Sequence, residues 1–123
     1  AGNLATVAAM AAQTYDRSQA IGFTAFQVPA RLLEAWVARR LGDAEASVHA
    51  YGRALELAAE AGFGDHAAFS LAGLGANALA TKDLRHAEEL FRRSLDTAEA
   101  ARAPWVAAHA RANLAGVLAR SCG

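Results

Sequence analysis

Apolar and polar residues along the chain follow the spacing of amphipathic helices. Leu84, Ala87, Phe91, Ser94/Leu95 and Ala98 step at three and four residues and draw one stripe on a helix surface. Leu71, Leu74/Gly75 and Ala78/Leu79 draw another. No stretch alternates apolar and polar residues with the Val, Ile and Thr enrichment of a strand. The pattern predicts an all-α chain of six helices over about 3–21, 27–41, 43–61, 65–81, 83–102 and 104–121. The punctuation agrees. Gly22, Gly42, Gly62 and Gly64 can take the positive φ that closes a helix. Asn3, Asp43 and Asp83 precede helical segments, where a side-chain oxygen can accept from the free N–H groups of a first turn. Pro104 suits a first turn, because its missing N–H has no partner there. Pro29 would remove a backbone bond inside a helix, so the second helix is expected to begin near Gln27, after a longer link.

The same pattern repeats every forty residues. Gly2-Asn3-Leu4 falls on Gly42-Asp43-Ala44 and on Lys82-Asp83-Leu84, and Gly22-Phe23 falls on Gly62-Phe63. Arg53, Leu55 and Leu74 recur as Arg93, Leu95 and Leu114. Such a period marks a stack of supersecondary units, each burying the apolar face of the next. Three units of about 2–41, 42–81 and 82–121 make residues 1–123 a single repeat domain of three stacked antiparallel helical hairpins. Because residue 1 is Ala, the chain is expected to be processed or a fragment of a longer one.

Composition narrows the function classes. At 54% apolar residues the chain is too hydrophobic for a disordered tail. Twelve basic residues balance twelve acidic ones, which argues against a nucleic-acid module. No apolar run of membrane-spanning length and no basic-then-apolar leader occurs, and the lone Cys122 fits a reducing compartment. A cytoplasmic location is therefore expected. Thirty-five alanines, and eleven arginines against Lys82 as the one lysine, point to a GC-rich bacterial genome.

The residues that punctuate the repeat resemble the tetratricopeptide-repeat pattern, a helix-turn-helix unit read as W-x2-L-G-x2-Y, then Ala, then Phe. Leu71-x2-Leu74-Gly75-x2-Ala78 matches the first helix, with Leu for Trp and Ala for Tyr. Ala87, Phe91 and Ser94 match the small, aromatic and small positions of the second helix, as do Ser47, Tyr51 and Ala54 after Gly42-Asp43. Asn113-Leu114-Ala115 resembles the Asn-Leu-Gly stretch of a further first helix. The period of forty corresponds to a long-repeat variant, similar to arrays in actinobacterial transcription and signalling regulators.

The resemblance implies a right-handed superhelical solenoid whose first helices line a concave groove, and hence a protein-interaction scaffold. Carried over by motif, groove positions are Leu32, Trp36, Arg39 and Arg40, then Phe69, Ala72, Ala76, Leu79 and Ala80, then His109, Ala112, Gly116, Ala119 and Arg120. This groove is apolar with arginine edges and suits an amphipathic helix or peptide. The Lys and Asn that clamp a terminal carboxylate in some members are absent from these positions. Two other readings stay open: a domain of a transcription regulator that senses a ligand or peptide, and a self-association module. The apolar ends, with Leu4, Val7 and Met10 at one and Val117 and Leu118 at the other, are expected to be covered either by longer parts of a parent chain or by a second copy, as a homodimer through the end helices.

Candidate chemistry is sparse. Gly73-x-Gly75-x-x-Ala78 has the letters of a dinucleotide fingerprint but falls mid-helix with no strand before it, so close helix packing is the expected role. His49, His66, His86 and His109 stand too far apart in sequence for a metal-ligand motif. Glu88-Glu89 before Arg92-Arg93 reads as surface ion pairing at one-turn spacing. No nucleophile, metal or cofactor motif is present, so no catalysis is expected.

Overall fold

Four turns of one geometry cut the chain into helices. Gly42, Gly62, Lys82 and Arg102 follow at twenty-residue intervals, with φ of 84°, 76°, 64° and 54°. At each, the next N–H reaches back to a carbonyl of the last helical turn: Asp43 to Ala38 at 2.9 Å, Phe63 to Ala58 at 2.8 Å, Asp83 to Ala78 and Ala103 to Ala98 at 3.0 Å. These are Schellman closures, and they satisfy carbonyls that a helix end leaves free. Glycine takes the left-handed backbone without penalty; Lys82 and Arg102 hold it at about 1–2 kcal/mol each.

The computed structural model describes residues 2–122, with side chains described at 5–13, 22 and 24–122. Among these residues the helices are α1 (Gly2–Arg40), α2 (Ala44–Ala61), α3 (Gly64–Ala80), α4 (Leu84–Ala100) and α5 (Pro104–Cys122). Asp43 caps α2 by accepting from the Ala46 N–H at 3.1 Å, and Asp83 caps α4 by accepting from His86 at 3.2 Å. Pro104 opens α5, as its sequence position predicts.

The all-α stack expected from the period is present, with one change. The first two expected helices run together as α1, a single 39-residue helix. Asn3 is therefore inside a helix rather than capping one, and no link precedes Gln27. The break signals at Gly22 and Pro29 are too weak to stop it. A helical glycine costs about 1 kcal/mol relative to alanine. Pro29 deprives one carbonyl of its N–H partner, yet Ala25 and Pro29 both face solvent, where water can serve that carbonyl.

Each helix packs on its neighbours in sequence, and α3 also meets α1 and α5. Among the described residues no close backbone approach joins α2 to α4. One row, α1, α3 and α5, is thus closed up, while the other is splayed, so the stack curves with that row inside.

Small residues set the spacing. Gly73 and Gly75 are buried in mid-α3, flanked by Tyr51 of α2 and Phe91 of α4. A Cβ at Gly73 would clash with the Tyr51 ring, and one at Gly75 would lie 2.6 Å from Cε1 of Phe91. The packing role expected for both glycines is the one observed. Phe91 anchors the main core with Leu71, Leu90, Leu114 and Val117. Buried polar groups tie the helices across the stack. The Asn77 amide donates to Ser47 Oγ at 2.9 Å, and Ser47 Oγ donates to the Ala35 carbonyl at 2.8 Å, linking α3, α2 and α1. Ser94 similarly donates to the Ala68 carbonyl at 2.8 Å. Each bond removes the penalty of burying a free polar atom.

Candidate functional site

The inner row of helices encloses a cleft of about 470 Å³ lined by Trp36, Arg39, Tyr51, Phe69, Ala72, Gly73, Ala76, His109 and Asn113. Helical spacing explains the wall that α3 supplies: Phe69, Ala72, Gly73 and Ala76 recur at three and four residues and share one face. The last three are small, so the helix surface recedes and leaves room between Trp36 on α1 and His109 on α5. Tyr51 belongs to the outer row, and its ring reaches the cleft because Gly73 has no side chain to stop it. A larger hollow, about 800 Å³, lies where Gly62–Asp65 faces Asp96–Ala103, but it is a surface recess at two turns.

Aromatic rings and positive charge dominate the cleft. Phe69 and His109 stand with ring centroids 6.3 Å apart at a tilt of 46°. The Arg40 guanidinium sits 5.4 Å from the centroid of the Trp36 ring, within cation–π range. Arg39 lines the cleft with its Nε buried and without a hydrogen-bond partner among the described residues. Burial raises the Tyr51 hydroxyl above its ordinary pKa of 10.0, and the charge of Arg39 partly opposes that rise. Among the described residues no carboxylate lines the cleft. What the arrangement can do chemically is hold apolar and π-rich surface, with a guanidinium in reach of an acceptor.

Of the residues expected in the groove, the cleft brings together Trp36, Arg39, Phe69, Ala72, Ala76 and His109, with Arg40 above Trp36 at its edge. Leu79 instead packs against the main core, and Ala80 and Arg120 are exposed residues outside the lining. Tyr51, Gly73 and Asn113 are lining residues that motif carry-over missed. The eleven-residue separation of Tyr51 and Gly73 from the turn glycine, Gly62, on either side was the available signal.

Elsewhere the polar surface is ordinary. Arg92 pairs with Glu88 at 3.5 Å, one turn apart as the charge pattern predicts, and Arg31–Glu34 and Arg53–Glu56 pair at 2.9 and 3.0 Å. Such exposed pairs contribute little to stability. No group of three metal-ligating side chains forms among the described residues, and no described helix is long and apolar enough to cross a membrane.

A curved stack of antiparallel helices, with glycines admitting an aromatic from each neighbouring helix, defines a helical-repeat scaffold. The family model described as tetratricopeptide repeat matches residues 31–100, more than half of the chain, and the chain belongs to that family. The match begins in the second half of α1 and ends with α4, so it covers the helix pairs α1–α2 and α3–α4. Membership makes the chain a scaffold for protein–protein interaction, of a kind that is typically non-catalytic. Comparison with curated proteins gives no significant match.

Proposed function

We propose that the inner cleft is the working surface and receives a helix or peptide segment of a protein partner. The observation that carries this reading is the composition of the cleft wall. Trp36, Phe69 and His109 offer large ring faces to solvent-accessible space, and the buried Arg39 Nε is a donor with no acceptor among the described residues. Tryptophan, tyrosine and arginine are the residues that dominate interface energetics when a partner excludes water. A partner side chain seated between Trp36 and Phe69 would also bring an acceptor within reach of Arg39. The GC-rich composition and the long repeat support a bacterial regulatory protein as the setting, with the scaffold joining that regulator to its partner.

The test is a binding measurement on Ala76→Glu and Arg39→Ala, each compared with the unmodified chain. Ala76 is half-buried on the cleft wall, so a glutamate there places a charge in the cleft without entering the core. Partner capture should fall at least tenfold in both variants while far-UV circular dichroism stays constant. Capture that is unchanged in Ala76→Glu moves the working surface elsewhere. Trp36 fluorescence in a Trp105→Phe background gives a direct signal, since Trp105 is the other tryptophan and is solvent-exposed.

A further inference from the structure

We infer that the outer face of α1 is a homodimer interface, on which the α1 of a second copy lies antiparallel with Gly22 against Gly22. The inference concerns a stripe beside the partner cleft: neither Leu33 nor Val37 lines that cleft, and Arg40, one turn on from Val37, stands over Trp36 where the two meet.

The observation is a register. Across the α2–α3 interface the residues that meet are equally far from the turn at Gly62. Ser47 and Asn77 stand fifteen residues to either side and are hydrogen-bonded at 2.9 Å. Tyr51 and Gly73 stand eleven to either side, and the ring fills the space the glycine leaves. Across α4–α5 the turn is Arg102, and the fifteen-residue partners are Ala87 and Val117, both members of the main core. The helix face that carries Gly73 and Asn77 on α3, and Asn113 and Val117 on α5, is therefore the face each inner helix turns toward the outer helix before it.

One repeat earlier, that face on α1 carries Leu33 and Val37, and among the described residues it is left largely open. Leu33 is 63% exposed and Val37 41%, and Phe26, on the same side, is 75% exposed. The partners required by the register lie fifteen and eleven residues before Gly22. They are Val7, 62% exposed, and Ala11, also exposed. The pairs complement one another. Where Ser47 meets Asn77, both polar, the α1 register sets Val7 against Val37, both apolar. Where the large Tyr51 meets Gly73, it sets the small Ala11 against the large Leu33. Residues 5–13 carry no charge that would oppose burial.

These partners cannot meet within one straight helix. Thirty residues at 1.5 Å each hold Val7 and Val37 about 45 Å apart. A second α1 lying antiparallel about Gly22 makes every contact at once: Val7 on the partner's Val37, Ala11 on the partner's Leu33, and the same two contacts repeated across the dyad. The interface is isologous, with each copy presenting the same patch, as twofold symmetry requires. Gly22 sits at the crossing, and a Cβ built there meets nothing within 4 Å in a single chain, so the two backbones can approach closely.

The test uses the full chain. Light scattering should give the mass of two chains, against 12.8 kDa for one. Leu33→Glu should weaken association at least tenfold with the helical circular-dichroism signal retained, because the substituted side chain is already exposed. In a Cys122→Ser background, Val7→Cys with Val37→Cys should oxidise to a covalent pair of chains on a non-reducing gel. A chain that stays at single mass over the accessible concentration range overturns the inference. So does a Val7–Val37 disulfide formed within one chain, which would mean that residues 2–21 fold back at Gly22. A dimer that neither responds to Leu33→Glu nor cross-links uses another face, and also overturns it.

Discussion

Gly73→Ala isolates the geometry on which both the stack and the cleft depend. The new methyl group would clash with the Tyr51 ring, and Tyr51 is 6% exposed and packed between α2 and α3. Overpacking of this kind costs about 1–3 kcal/mol. Against it stands the gain of replacing a helical glycine, about 0.5–1 kcal/mol. The net expectation is a loss of about 1–2 kcal/mol, or roughly 3–8 °C in Tm for a domain of this size. Gly116→Ala is the matched control. It is also mid-helix, but a Cβ there meets nothing within 4 Å, so it should stabilise by about 0.5–1 kcal/mol. Urea unfolding followed by far-UV circular dichroism resolves a gap of this size. The penalty should also disappear in a Tyr51→Ala background, where the methyl group enters vacated space, giving a coupling energy above 1 kcal/mol. If Gly73→Ala stabilised the chain as much as Gly116→Ala, the aromatic-on-glycine account of helix spacing would be wrong.

Two further outcomes follow from groups inside the stack. Ser47→Ala should cost about 1–2 kcal/mol, because the buried Asn77 amide loses its shorter bond and keeps only the Gly73 carbonyl at 3.2 Å; a double-mutant cycle with Asn77→Ala that proved purely additive would show that the relay is not a unit. Tyr51 has a folded pKa raised by burial, so its contribution to stability is complete below about pH 10 and is lost as pH climbs through the folded value. Alkaline titration by tyrosine absorbance should therefore show one group ionising late, removed by Tyr51→Phe and delayed further by Arg39→Gln.

How much of this was legible in the sequence differs from element to element. The turns at Gly42 and Gly62 announce themselves by residue type, whereas those at Lys82 and Arg102 are visible only through the period, since neither residue favours positive φ. Gly22 shows the reverse case. It stands in the same register, yet α1 runs through it, because one glycine weakens a helix by less than the surrounding residues hold it. The α3 wall of the cleft was readable because Phe69, Ala72 and Ala76 fall at helical spacing within a recognised motif. Tyr51 was not, because its place in the cleft depends on a gap in the next helix, a property of two residues together. Leu79 shows the same limit: helical spacing alone assigns it to the groove, whereas it packs, half-buried, against a core that α3, α4 and α5 build together.

The central position of α3 also orders the molecule in time. Among the described residues it is the one helix whose backbone lies close to the other four, and no such approach joins α1 to α5 to close the stack into a ring. Amide exchange should then be graded, slowest along α3 and faster toward both termini, because an end helix can detach without breaking the contacts behind it. Forming those contacts requires only neighbouring stretches of chain to find one another, which places the protein among fast folders. Peeling from one end would open the cleft from that side while the Tyr51–Gly73 and Phe91–Gly75 contacts still hold. A partner bound across α1, α3 and α5 would suppress such fraying at both ends together, and so register its own arrival as slower exchange far from the atoms it touches.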